Sequence, residues 1–437
     1  MMIPREALFA SDDLLKKNMA NFQTMKLNSD ESNAGKVERV VVSKGQLIVA
    51  GSQKVAEFSK KKAEFFTFEK ALYDKPCHSI FVHQDLLLMQ EWNSNNMIVY
   101  NTMKQKIETI LEGKSAPDKD PKEGKGFRVK QSLLSDSGEL LYVLWYKGDG
   151  LVVAIDYKKD PDPTTWGKLP NLPFFDVGGG VAAKEGDPVT IVPISLIFKS
   201  SPAKILGLYS CNKEFLIKTC EIEKSKARYF NITKKPILER GEDSSGDQGK
   251  TIETVMEPYV IEESIRKNIF FLASKNKLGG TQTNPDRGKI SNQISMIKFG
   301  TKGLVLMNYF TFEPSKHPEV KSITCVKNYP YTTSGDKIDI LLIGCDQSII
   351  ILKMTKSEVF QEFHKFKMVA NSSVEDLEWS NISIFISAKD SKEVSILTFN
   401  NNFNLAEAVF DLDFKEYSTN KCDIPKQGNS LLTPQAR

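Results

Sequence analysis

Gly246, Gly249, Lys250 and Thr251 are arranged like the end of a phosphate-binding loop, in which backbone amides wrap a phosphate and a lysine reaches its oxygens. That chemistry needs a first glycine five residues before the Gly-Lys pair, and position 244 is Ser. The stretch is acidic and Ser-rich, with no clear strand before it or helix after it, so it reads as a solvated loop. Gly178, Gly179 and Gly180 could bring backbone close to a ligand, but no completing motif follows and a flexible connection explains them. His78, His83, His317 and His364 form no ligand spacing, and the neighbours Cys77 and His78 would point to opposite faces of a strand. Six cysteines lie scattered without C-x-x-C spacing, the pattern of reduced buried thiols. Carboxylates are plentiful, but acid–base catalysis needs them to converge in space, which spacing alone does not show. The residue types therefore predict no catalytic residue, no cofactor and no metal site.

Composition narrows the class further. The chain has 437 residues, 40% of them hydrophobic and 26% charged, enough apolar material for a large core. Its 59 basic and 55 acidic residues leave a net charge of +4, and only eight of the basic residues are Arg. A mixed, Lys-dominated surface argues against nucleic acid as a partner. No long apolar run suggests a membrane span, and Arg5 and Asp12 stand where a secretory apolar stretch would be, so an intracellular, most simply cytoplasmic, protein is expected. In that setting the sequons at Asn231, Asn371 and Asn381 carry no chemical meaning.

What positions these residues is a recurring hairpin, two apolar or alternating runs around a short polar turn. The clearest copies are Leu86–Trp92 with Met97–Tyr100, Leu140–Tyr146 with Leu151–Tyr157, and Leu341–Cys345 with Ile349–Leu352. Fainter copies pair Leu47–Ala50 with Val55–Phe58, Ile205–Ser210 with Phe215–Thr219, Ile269–Ala273 with Ile294–Phe299, and Ile382–Ser387 with Val394–Phe399. Apolar stretches on either side make each unit four strands. Units beginning near Val37, Ser79, Val129, Ile191, Ile252, Ile323 and Val374 are spaced 42 to 71 residues apart, the excess lying in polar insertions at 114–125, 234–250 and 275–291. Sheets apolar on both faces need a neighbour on each side, so the pattern predicts one all-β propeller of about seven four-stranded blades over 36–413.

Gly344, Cys345, Asp346, Gln347 and Ser348 before Ile349–Leu352 look like the turn between the second and third strands of a WD-repeat blade. Ile155 and Asp156 stand where such blades carry Trp and Asp, and Asp136, Ser137 and Gly138 before Leu140 look like the turn between first and second strands. The chain thus resembles a degenerate WD-repeat-like propeller, although no Gly-His or Trp-Asp dipeptide occurs in it. The resemblance implies a non-catalytic scaffold or adaptor that binds other proteins through loops and rim, as a subunit of a larger assembly. The competing readings are a propeller hydrolase or lactonase-like enzyme and an accessory subunit that positions nucleic acid.

Two groups of apolar residues are expected to contact partners. Trp166, Phe174 and Phe175 lie in the Pro-containing connection 158–188, as binding anchors or as an irregular fourth strand. Leu15, Met19 and Phe22 fall at helical spacing in the leader 1–35, after the acidic start Ser11, Asp12 and Asp13. Their stripe predicts a short helix docking on the ring or in a partner's groove. A polar tail spans 414–437.

Overall fold

The computed structural model describes residues 19–27, 33–61, 65–83, 85–91, 97–111, 128–134, 140–146, 151–156, 172–173, 191–199, 204–211, 214–221, 226–233, 238–239, 256–277, 290–300, 303–332, 337–346, 348–354, 358–367, 373–380 and 383–399. Among them there is no helix, and none long and apolar enough to cross a membrane.

The first described strand is β1 (Met19–Lys26). The first sheet is β2 (Val37–Ser43), β3 (Gln46–Gly51), β4 (Val55–Lys61) and β5 (Phe65–Tyr73). The second is β6 (Cys77–His83), β7 (Leu86–Glu91), β8 (Met97–Asn101) and β9 (Lys106–Leu111). The third is β10 (Arg128–Leu134), β11 (Leu140–Tyr146), β12 (Leu151–Asp156) and β13 (Leu172–Pro173). The fourth is β14 (Ile191–Lys199), β15 (Lys204–Cys211), β16 (Glu214–Glu221) and β17 (Lys226–Asn231). In the fifth, a short β18 (Leu238–Glu239) lies parallel against β22 (Leu304–Phe312), outside β21 (Ile290–Phe299), β20 (Ile269–Lys277) and β19 (Glu257–Glu263). The sixth comprises β23 (Ile323–Asn328), β24 (Tyr331–Thr332), β25 (Lys337–Cys345), β26 (Ser348–Met354) and β27 (Phe360–Lys367), and the seventh β28 (Val374–Ser380), β29 (Ser383–Ala388) and β30 (Glu393–Phe399), completed by β1. All seven predicted hairpins are paired strands in these sheets. In the fifth unit, expected near Ile252, the strand β19 that opens the run of antiparallel strands begins at Glu257.

The first strand of each sheet packs beside the first strand of the next, and β28 packs beside β2, so these seven strands form a closed cycle around a central channel. Each of them carries a register shift near its start, skipping Glu38, His78, Lys130, Ile194, Tyr259, Thr324 and Glu375 in turn. A bulge bends and twists its strand, here at the same place in every sheet, where the sheets converge on the axis. Between β2 and β3 the two-residue turn Lys44-Gly45 has both residues at positive φ, the geometry that matches strand twist in a short hairpin.

The apolar core is divided into slabs between neighbouring sheets. Ile48, Ala50, Val55 and Leu72 of the first sheet meet Ile80, Leu87, Met89 and Ile98 of the second. Phe270, Leu272 and Ile297 of the fifth face Leu206, Leu208 and Ile217 of the fourth, while Phe271, Ala273 and Met296 face the sixth. Gly344 on β25 lets the sixth and seventh sheets close: a Cβ there would stand 2.5 Å from Cys325 Sγ and 2.8 Å from Val374 Cγ1.

Residues 19–26 are a strand, which corrects the helix expected through Met19 and Phe22. β1 pairs antiparallel with β30, Phe22 opposite Leu397, and forms the outer strand of the last sheet. A short helix is marginal in water, whereas the open edge of β30 offers a full ladder and the slab between seventh and first sheets takes Met25. The Gln23 side chain reaches the first sheet, donating to Phe66 O at 2.7 Å and accepting from Phe66 N–H at 2.9 Å. Behind it Phe66 meets Phe385 edge to face, with centroids 5.4 Å apart. Val37 N–H donates to Ser391 O and Lys36 pairs with Asp390 at 2.8 Å, holding the start of the first sheet to the last. Residues 19–27 are therefore part of the ring. Truncation before residue 28 is expected to lower the thermal midpoint sharply, and Gln23→Ala to cost about 1–3 kcal/mol through the two Phe66 backbone groups left without a partner; calorimetry showing an unchanged midpoint for the truncation would refute closure by β1.

Candidate functional site

The repeated bulge decides which side chains meet at the channel. In β28 the residue after the bulge is Asp376, and in β2 it is Arg39. Asp376 Oδ1 faces Arg39 Nη1 at 3.3 Å and Lys327 Nζ of β23 at 3.6 Å, and Oδ2 accepts from Val40 N–H at 3.4 Å. The same arrangement recurs elsewhere in the ring. Ser195, after the bulge of β14, accepts from Ile261 N–H of β19 at 3.2 Å. Val40 and Ile261 occupy the same place, two residues past the bulge, on an inner edge where no further strand supplies an acceptor.

Lys327 of β23 is in electrostatic reach of Asp376 and Glu378 of β28 and of Glu262 of β19. Arg39 and Lys327 keep 38% and 35% of their side-chain exposure although they stand on the innermost strands, while Asp376 keeps 1%. Such side chains line the channel: water reaches the cations and weakens their pairs, and the carboxylate beneath is dry. Burial alone would raise the Asp376 carboxyl, but Lys327, Arg39 and the Val40 N–H outweigh it and hold it below the usual aspartate value. Asp376 in turn raises both cations. Glu262 and Glu378 are pushed up to about 7 by burial, which Lys327 only partly offsets. Tyr329 closes one side: its Oη accepts from Trp379 N–H at 2.8 Å and its ring lies 5.0 Å from the Trp379 ring.

Two further carboxylates tie sheets together. Asp339, fully buried on β25, accepts from Ser264 Oγ at 2.7 Å, Ile265 N–H at 2.8 Å and Asn328 Nδ2 at 2.7 Å, joining the fifth sheet to the sixth. Asp346, in the turn between β25 and β26, accepts from Ser322 N–H and Oγ at 2.5 and 2.9 Å and from Ser373 Oγ at 3.4 Å, ahead of the seventh sheet.

Met19 and Phe22 lie on β1; Leu15, Trp166, Phe174 and Phe175 fall outside the described residues, as do Gly246 to Thr251 and Gly178 to Gly180. Asn231 of the first sequon is engaged, its Nδ2 donating to Glu214 Oε2 at 2.6 Å. His317 is buried beside Glu319 and Glu362, and burial lowers its pKa. Burial pushes the Cys77 and Cys325 thiols up to about 12, which makes them poor nucleophiles. Among the described residues no cluster of His, Cys, Asp or Glu is arranged to hold a metal ion.

Sequence reasoning missed the channel cluster. Its signal was present in the charged residues inside apolar first strands, at Arg39, Glu262, Lys327, Asp376 and Glu378. Chemically, the cluster can pair charges across four sheets, and its two carboxyls near neutrality can exchange protons with channel water.

The fold is that of a β-propeller. The chain is similar to the β-propeller domain of Cps50 (Swd1) from Myceliophteria thermophila, with TM-score 0.51 and 9% identity over 87% of this chain and 99% of that one. The Nup133 β-propeller domain of Vanderwaltozyma polyspora (TM-score 0.49, 9% identity, 87% and 98% covered) and hydrazine synthase of Kuenenia stuttgartiensis (0.49, 10%, 84% and 97%) also align. At such identities the likeness concerns fold alone. No family model and no curated protein matches the chain.

Removing Asp376 strands two cations at once. Asp376→Ala is expected to destabilise by about 1–3 kcal/mol after allowing for the water that reaches Arg39 and Lys327, and a double-mutant cycle with Lys327→Met to show a coupling of about 0.5–3 kcal/mol. Urea unfolding of the four proteins measures both; additive effects would mean that the ion pair does not act.

Proposed function

We propose that this protein is a non-catalytic scaffold or adaptor that binds other proteins through the rim and loops of its ring, as a subunit of a larger intracellular, cytoplasmic assembly. The observation that carries this reading is the distribution of exposed apolar side chains. Of the seven large hydrophobic residues exposed among those described, three, Met103, Ile107 and Ile110, fall within one turn and the outer strand β9 of the second sheet. The turn is rigid, because Asn101 Oδ1 accepts from the N–H groups of both Met103 and Lys104. A fixed knob beside an outer strand suits contact with another protein. Trp166, Phe174 and Phe175 extend the proposal to the connection after β12.

A hydrolase or lactonase-like activity is the second reading, and one observation favours it: burial raises the carboxyls of Glu262 and Glu378, on the inner strands β19 and β28, to about 7. The presence of Lys327 and Arg39 among the carboxylates counts against it, since both cations are committed to Asp376.

The readings separate on variants. Ile107→Asp with Ile110→Asp is expected to leave stability within about 0.5 kcal/mol of the parent, as surface changes do, while removing proteins that copurify with the tagged chain in quantitative mass spectrometry. An unchanged copurifying set would reject this rim strand as the contact. Activity in a hydrolase screen that disappears in Glu262→Gln and Glu378→Gln would favour the enzyme instead.

A further inference from the structure

Ile107 and Ile110 of β9 are three residues apart, a spacing that puts side chains on opposite faces of a regular strand. The register shift at Glu108 changes this. Ile107 stands opposite Tyr100 of β8 and Ile110 opposite Ile98, so all four share one face of the second sheet. That face is turned toward the first sheet, where Ile98 and Tyr100 are buried in the slab with Val55 and Leu72. On the outermost strand the same face emerges into water: Ile107 is 41% and Ile110 50% exposed, and Met103 in the preceding turn 67%. The apolar face of the slab therefore continues onto the rim. The bulge also sets Ile107 and Ile110 two strand steps apart, about 7 Å, the spacing of alternate side chains on a neighbouring extended strand.

The edge of β9 is open as well. It is the last strand of its sheet, and among the described residues no strand pairs with its outer side. Another outer edge of the ring shows what such an edge accepts: β18 adds parallel to β22, Leu238 beside Val305 and Glu239 beside Leu306, as a fifth strand. Residues 112–126, which follow β9 in the sequence, include Pro117 and Pro121 and no large apolar side chain to match the two isoleucines. Charge is uneven along the edge. Lys104 and Lys106 stand at its turn end with side chains 57% and 60% exposed, while Glu108, which pairs with them at 3.1 and 3.8 Å, is 4% exposed. Two cations over one enclosed carboxylate leave +1, and the ammonium groups are what an approaching chain meets.

We propose that β9 is a strand-addition site: an extended segment of another protein pairs with its outer edge, turns apolar side chains at positions i and i+2 onto Ile107 and Ile110, and sets an acidic side chain against Lys104 and Lys106. This builds on the rim contact proposed above and adds the form of its partner. Main-chain hydrogen bonds supply affinity that any extended segment shares, and the alternate apolar pair with its acidic end supplies selection. A basic segment is repelled at the turn end, and a helix, whose backbone groups are already paired, leaves the open edge unsatisfied.

The test selects random nonapeptides displayed on phage against the immobilised full chain. Expected are sequences with apolar residues at i and i+2 and an acidic residue beside them. The best of these, labelled and titrated by fluorescence anisotropy, is expected to bind Ile107→Asp with Ile110→Asp at least about tenfold more weakly than the parent. Binding to Lys104→Glu with Lys106→Glu is expected to be weaker than to the parent, and the parent's affinity to fall as ionic strength rises. Methylating the peptide's alternate backbone N–H groups is expected to abolish binding for one set and spare it for the other, because only alternate amides of an added strand face β9. Failure to select any such peptide, equal binding to both variants and the parent, or tolerance of methylation in either set would each overturn the proposal. So would a concentration-dependent dimer lost in the isoleucine variant, which would assign the edge to a second copy. Should the isoleucine variant not fold, the lysine variant decides. Loss of copurifying proteins from the isoleucine variant without such peptide binding would leave the rim contact standing and remove strand addition; an unchanged copurifying set removes both.

Discussion

Every sheet whose core contacts can be followed is apolar on both faces, and the rest of the structure follows from that constraint. In β20, Phe270 and Leu272 turn toward the fourth sheet while Phe271 and Ala273 turn toward the sixth. Leaving either face in water would forfeit about 25 cal/mol for every Å² of apolar surface, so no sheet is stable at the end of a row. A closed cycle removes the ends. It also creates one seam that no turn of the chain bridges in sequence, between the seventh sheet and the first. The chain closes it with β1, which belongs to the seventh sheet by hydrogen bonding and leads directly to β2 of the first. Gln23, bound to the Phe66 backbone on both sides of its amide, adds a hydrogen-bonded link to that seam beside the one from Val37 N–H to Ser391 O.

The sheet edges at the channel pose the complementary difficulty. An innermost strand has N–H groups pointing where no strand follows, and burying them without an acceptor is costly. The bulge in every first strand helps because it turns the following side chain sideways. Ser195 and Asp376 use that turn to reach a backbone N–H of the next sheet. The residues skipped at the bulge share no chemistry, ranging from Glu38 and Lys130 to Ile194 and Tyr259.

That variety explains what could be read from sequence. The central hairpins were legible because both strands of each lie close in the chain and alternate or run apolar according to the faces they bury. The bulges were not, since a skipped residue leaves no mark of composition. β1 was read as a helix because Leu15, Met19 and Phe22 satisfy helical spacing, while its true partner, β30, lies hundreds of residues away and exerts no local signal. The channel cluster was hidden for the same reason. Glu262, Lys327 and Asp376 each look like a solvated charge in a half-exposed strand, and only ring closure brings them to one place. Asp346, by contrast, stands between two apolar runs, and its position in a turn follows from those neighbours alone.

These polar nodes answer a question that the apolar slabs leave open, namely which sheet packs beside which. Leu, Ile and Val dominate the slabs, and faces so alike would tolerate exchange of neighbours or a shifted tilt with little loss. A buried carboxylate discriminates, because a wrong neighbour leaves it dry and unpaired. Asp339 finds its donors only where Ser264, Ile265 and Asn328 converge, and Asp376 its two cations and its N–H donor only where Arg39, Lys327 and Val40 do. Desolvating such groups offsets much of what their hydrogen bonds contribute, so their effect on total stability is small beside their effect on mispaired arrangements. The nodes described stand at the fourth–fifth, fifth–sixth, sixth–seventh and seventh–first junctions. At the seventh–first junction the carboxylate is joined by two cations and by β1, a strand from the other end of the chain that runs on into β2, so chemistry and connectivity close the same seam.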